Sequence, residues 1–236
     1  MRGIFYRSRM IGVAVAATTL AGTMGVVAVS PAGAATDTSD AGYTAKVSKT
    51  ASHQLTAQVK LPKVTCKNSD TSGDLLSMSI SGSLTGGGFD AAGVIVTMSC
   101  SGTTATYSIF GVVDSTHVTP SVSASAGDVV GVAVIASPSF ETASFSDTTN
   151  GQGSYVDGTG FNPSLAAADV QGGSGSGHFP KFAPITFSDL TLNNKALGKF
   201  ATTPYDQVDG GGNTEISVGP LSATGKSFVA TYVTNT

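Results

Sequence analysis

Leu55, Ala57, Val59 and Leu61 alternate with Thr56, Gln58 and Lys60, and this two-residue period, recurring along the chain, constrains the fold most. Side chains point to opposite faces of a strand in turn, so such a run buries one face and wets the other. Phe140, Thr142, Ser144 and Ser146 alternate with Glu141, Ala143 and Phe145 in the same way. Val94, Val96 and Met98 interleave with Ile95, Thr97 and Ser99, which is apolar on both faces and predicts a strand covered on both sides. Further strands are expected over 105–113, 129–137, 184–192, 214–218 and 226–233. Turn signals such as Ser81-Gly82, Gly86-Gly87-Gly88, Ala126-Gly127-Asp128 and Asn150-Gly151 separate them. No segment carries an apolar stripe at helical spacing over three turns. Charged residues make up only 11% of the chain, so the surface helix formers Glu, Lys and Arg are scarce. Many short strands joined by turns give an all-β chain, a sandwich or a barrel. The Gly- and Ser-rich stretch 151–177 has the weakest pattern and is expected to be a long loop with one short strand over 166–171.

The N-terminus reads differently. Arg2, Arg7 and Arg9 precede an apolar run from Met10 to Val29, followed by Ser-Pro-Ala-Gly-Ala-Ala35. This is the layout of a signal peptide over residues 1–34, cut after Ala34 or alternatively Ala35. An uncleaved anchor is the competing reading, because the run approaches the roughly 20 apolar residues that span a bilayer. Its Gly and Thr content and the Ala-Gly-Ala ending favour cleavage and secretion, with no membrane span left afterwards. The leader holds every Arg and no acid, so its removal takes the net charge from −3 to −6. No basic stripe remains to track phosphates, and nucleic acid is excluded as a partner. Residues 35–41 are expected to be a flexible N-terminal arm, and residues 42–236 one β-sandwich domain.

Cys66 and Cys100 are the only cysteines, and in an exported chain an isolated pair forms a disulfide. It would close a loop of about 35 residues, worth about 3–4 kcal/mol in the chain-entropy model. Free thiols or a metal pair is the alternative, but there is no Cys-x-x-Cys, and His53, His117 and His178 lack ligand spacing. Asp209-Gly-Gly-Gly-Asn213 lacks the spacing and closing Glu of an EF-hand and reads as a flexible turn. No metal and no cofactor is expected.

Several pieces, in order, resemble the glutamic peptidases (family G1, the eqolisins). Ala41-Gly42-Tyr43 resembles the end of that family's Asn-Trp-Ser-Gly-Tyr opening, and Leu61-Pro-Lys-Val-Thr-Cys66 its strand exit into a cysteine. Ala126-Gly127-Asp128 is similar to its Pro-Gly-Asp turn, Phe145-Ser-Asp147-Thr-Thr149 to its Leu-x-Asp-x-Thr strand, and Phe182-Ala-Pro-Ile-Thr-Phe187 to its Phe-x-x-Val-x-Phe. Leu221 to Phe228 resembles its final hairpin. The resemblance implies a concanavalin A-like β-sandwich of two antiparallel sheets, one curved around a groove. It also implies a Glu acting as base for the attacking water and a Gln steadying the tetrahedral intermediate.

Here the chain departs from the family. Counting back from Cys100 puts the glutamine position on Gly93, and counting along Ala166 to Gln171 puts the glutamate position on Gln171. Asp40, Val59, Ser77, Ile109 and Ala168 stand where the family has Trp, and the chain has none. Asp169, two residues before Gln171 and on the same strand face, is the one substitute base, although a loop or edge carboxylate is its ordinary reading. Glu141 and Glu215 are the only glutamates; Glu141 lies near the start of a strand, and Glu215 follows the glycine turn, where a solvated carboxylate is the default. The three His are read as surface residues. Tyr43, Tyr107, Tyr155 and Phe161 could line a peptide or sugar surface, with core packing their more frequent fate. The expectation is a secreted, non-catalytic protein that binds a peptide, glycan or envelope partner or serves a structural role. An active acid endopeptidase and a carbohydrate-binding module are the alternatives.

Overall fold

The computed structural model describes residues 34–68, 70, 73–84, 86–114, 117–173 and 179–234. The expected leader, apart from Ala34, and His178 lie outside these residues.

The chain begins with β1 (Ala35–Asp37), β2 (Ala41–Lys46), β3 (His53–Lys60), β4 (Val64–Thr65), β5 (Asp74–Ser83) and β6 (Phe89–Ser101). It continues through β7 (Thr104–Val113), β8 (His117–Val118), β9 (Val122–Ala124), β10 (Val129–Ala136), β11 (Glu141–Asp147) and β12 (Gly153–Gly158). Then come β13 (Asn162–Gly172), β14 (Lys181–Phe182), β15 (Ile185–Leu192), β16 (Lys195–Ala196), β17 (Thr202–Val208), β18 (Thr214–Val218) and β19 (Phe228–Tyr232). A single 3-10 turn, Leu197–Lys199, is the only helical element among the described residues.

Two layers pack face to face. The first runs β7-β6-β5-β13-β2-β17 and the second β12-β11-β10-β3-β15-β19-β18. β10 and β11 lie against β5, β6 and β7 across the core. β17 also pairs with β18, so the two layers join along one edge into a continuous ladder. All the main pairings are antiparallel, as expected for this sandwich.

The two-residue period explains why the layers meet. Leu76, Met78 and Ile80 of β5 are fully buried, whereas Leu75, Ser77, Ser79 and Ser81 between them are half-exposed. Leu55, Ala57 and Val59 of β3 face them from the other layer with Val130, Val132 and Val134 of β10. Phe187 and Phe228 stack at 4.7 Å and Tyr43 meets Phe228 at 4.9 Å, filling the end of the sandwich near β2. Cys66 and Cys100 form the disulfide, with Cα atoms 5.6 Å apart.

Three expectations change. In β6, Val94, Val96 and Met98 are buried but Ile95 and Thr97 are half-exposed, so only one face is covered. Residues 35–37 are not a flexible arm: they pair in parallel with Tyr205–Gln207, which satisfies the backbone of an otherwise open edge. The stretch 151–177 holds two strands, β12 and the eleven-residue β13. β13 lies between β2 and β5, and its alanines suit the close approach there. A Cβ on Gly42 would collide with the Ala168 carbonyl and the Asp169 backbone.

Candidate functional site

The outer face of the first layer is half-exposed and lined mostly by small side chains. One row across it reads Tyr205, Gly42, Asp169, Ser77, Ile95 and Phe110. The next reads Thr203, Thr44, Ala167, Ser79, Gly93 and Val112. Two residues along β13 on the other side of Asp169, Gln171 stands level with Leu75, Thr97 and Ser108.

This register does not bring Gly93 and Gln171 together. Gly93 is level with Ala167, four residues from Gln171, and one strand lies between β6 and β13. With strands about 4.8 Å apart and a rise of about 3.3 Å per residue, the two positions are roughly 16 Å apart. They share a face but not a reacting centre.

Asp169 does have company. It is 8% exposed, in the middle of a sheet and not on a loop or edge. The Tyr205 hydroxyl donates to its Oδ2 at 3.2 Å. Burial pushes the Asp169 carboxyl well above the usual range, and the nearby negative charge of Asp40 adds to the rise. Asp40, in the turn between β1 and β2, is raised to about 6, mainly by burial and then by Asp37. Asp37 accepts bonds from the Ser39 amide at 2.8 Å and the Ser39 hydroxyl at 2.6 Å. The Tyr205 phenol is likewise driven well above its ordinary value by burial and by Asp169.

The sequence marks Asp40 only as a position where the family has Trp, and it does not mark Asp37 or Tyr205, because these residues meet Asp169 only through long-range pairing. The one local signal was the acid-rich run Asp37-Thr-Ser-Asp40 beside a Gly that allows close packing. Chemically, the cluster can donate protons at acid pH. Asp40, raised to about 6, is half ionised near that pH and so serves as a base towards neutrality.

The other residues singled out from sequence lie elsewhere. Glu141 is fully buried, and Glu215 accepts from Gln207 Nε2 at 3.0 Å. His53 is buried as well: its Nε2 donates to the Ser48 carbonyl at 2.8 Å and its Nδ1 accepts from Asn193 at 3.0 Å. His117 is exposed, 3.1 Å from Asp114. Asp209 accepts from the amides of Gly211 and Asn213, each at 2.8 Å, which closes the glycine turn on itself. Tyr43, Tyr107 and Phe161 belong to the core, and Tyr155 alone is exposed.

No protein-family model matches the chain, and no curated protein matches it in sequence. Solved structures do match. Scytalido-glutamic peptidase with a peptide-based transition-state analog superposes at a TM-score of 0.64 and 14% identity, over 84% of this chain and 99% of that one. SCP-B, a member of the Eqolisin family of peptidases in complex with the tripeptide Ala-Ile-His, gives 0.60 at 14% identity, over 83% and 100%. The layered core and these superpositions give the result: the chain has the β-sandwich fold of the glutamic peptidases.

Proposed function

We propose that the protein is a secreted, non-catalytic relative of the glutamic-peptidase fold that holds an extended peptide on the outer face of its first layer. The observation that carries this reading is the separation of Gly93 from Gln171 on that face, with no carboxylate at either position. Proton removal from water and oxyanion stabilisation must act on one atom, which needs a base and a donor within hydrogen-bond reach of it. Neither glutamate stands at either position. Glu141 is sealed between the layers, and Glu215 is engaged with Gln207. The face itself suits an extended backbone, because Ser77, Ser79, Gly93 and Ala167 leave little side chain to keep a ligand away. Secretion rests on the leader, and the disulfide fits an oxidising compartment.

Retention of peptides from a protein digest on immobilised protein at pH 7 tests the reading. Ala167→Trp, which fills the middle of the face, is expected to reduce retention at least tenfold without lowering the melting temperature. Equal retention by the variant would remove the face from the account.

A second reading is favoured by the Asp40–Asp169–Tyr205 cluster, namely hydrolysis with a displaced carboxylate. Raised values leave these acids protonated at pH 2–5, so such a base could work only near neutrality. Cleavage at pH 7 that disappears in both Asp40→Asn and Asp169→Asn would establish it.

A further inference from the structure

At the opposite end of β6 from the disulfide, three carboxylates converge from both layers. Asp90 is the second residue of β6 and 3% exposed; Asp114 follows β7; Glu141 opens β11 in the other layer and is fully buried. One carboxylate oxygen from each lies within 4.8 Å of the others. Glu141 Oε1 accepts from the Asp114 amide at 2.9 Å, but its Oε2 is buried with no hydrogen-bond partner. A sealed carboxylate oxygen without a donor is costly, and a buried charge normally has a counter-charge or a metal. The only ion pair among the described residues joins Asp114 to His117, whose side chain is 69% exposed.

We infer that Asp90, Asp114 and Glu141 form a Ca2+ site that ties the ends of β6 and β7 to β11. All three donors are hard oxygens, which suits Ca2+ and Mg2+ and not zinc or copper. Mg2+ demands a near-ideal octahedron and gives up its waters reluctantly, whereas Ca2+ accepts irregular sets of protein oxygens at about 2.3–2.6 Å, and three carboxylate oxygens within 4.8 Å of one another can supply such a set.

The surroundings keep the place open. Gly158 pairs with Glu141 across β12, and a Cβ there would come within 2.5 Å of Glu141 Oε1 and 3.0 Å of Asp114 Oδ2. The Thr159 hydroxyl donates to Asp114 Oδ1 at 2.9 Å and holds that carboxylate in position. The Asp114 side chain is 20% exposed, which gives an ion its way in. Linear spacing hid the set, because its members come from two strands and the turn after a third, in two layers.

Chelator-treated protein titrated with CaCl2 to 10 mM, by calorimetry and thermal melting with MgCl2 in parallel, tests the site. One ion per chain is expected, with a Kd of about 10⁻⁵–10⁻³ M and a melting temperature raised by about 5 °C at 10 mM. Glu141→Gln, which keeps the acceptor for the Asp114 amide, is expected to lose both effects. Asp90→Asn is expected to weaken binding at least tenfold, and it carries the test should Glu141→Gln fail to fold. Asp209→Asn, in the glycine turn, is expected to leave both unchanged. Absence of binding up to 10 mM, equal affinity for Mg2+, or binding kept within twofold in Asp90→Asn and lost in Asp209→Asn would overturn the assignment.

Discussion

Asp74 sits in an environment far from water. It is fully buried at the start of β5, and neither carboxylate oxygen has a hydrogen-bond partner. Burial, and then the charge of Asp70, lift it to about 9 from 3.8. An acid raised in the folded state binds a proton that the unfolded chain releases above pH 3.8, so stability falls as pH rises from about 4 towards 9. Asp74→Asn is therefore expected to stabilise the protein at pH 7 by on the order of 2 kcal/mol and to change little at pH 3, as read by urea unfolding. Asp40 and Asp169 work in the same direction, with the Asp40 window running from about 4 to 6. Asp169→Asn should raise the melting temperature at pH 7 and leave it unchanged at pH 3; a fall at pH 7 would mean that the ionised carboxylate has a stabilising partner. Sequence pattern alone marked Asp169 as the odd acid on its strand. It could not show Asp40 and Tyr205 beside it, because those contacts depend on where β1 and β17 land.

At the scale of elements, strands with a large contrast between their faces were legible and those built of small residues were not. β3 and β11 set Leu, Val or Phe on one face against polar residues on the other, and period two marks them; β10, with Val129 and Ile135 on its outward face, reads only as an apolar run. β13 buries Ala166, Ala168 and Val170, but Ala167 is just as apolar and Asp169 is buried as well, so its pattern carries almost no signal. The aromatic end of the sandwich is the element most sensitive to truncation. Phe187→Ala, which removes the ring stacked on Phe228, is expected to cost about 3–5 kcal/mol in denaturant unfolding. The disulfide ties the segment after β4 to the end of β6. Cys66→Ser with Cys100→Ser should lose about 3 kcal/mol, or about 6–12 °C in melting temperature for a domain of this size. Unchanged melting after reduction would mean that the unfolded chain is already compact in this loop.

For the whole molecule, the fold and its chemistry are separable. The two-layer core needs only alternation and fitting volumes, which the chain keeps at 14% identity to the peptidases it superposes on. Catalysis needs particular groups at a particular spacing, and the face between β6 and β13 presents Gly93 and Gln171 out of step with one another. The proposed Ca2+ site and the acid cluster lie on different parts of the sandwich, one between the layers and one on the outer face. Whether this face binds without cutting is tested most directly by proteolysis. Purified protein incubated with unfolded casein from pH 3 to pH 8, with new N-termini counted by mass spectrometry, is expected to give no cleavage above the buffer control at any pH. Cleavage at pH 3 that survives Asp169→Asn, or cleavage near pH 7 that this substitution abolishes, would contradict binding without cutting.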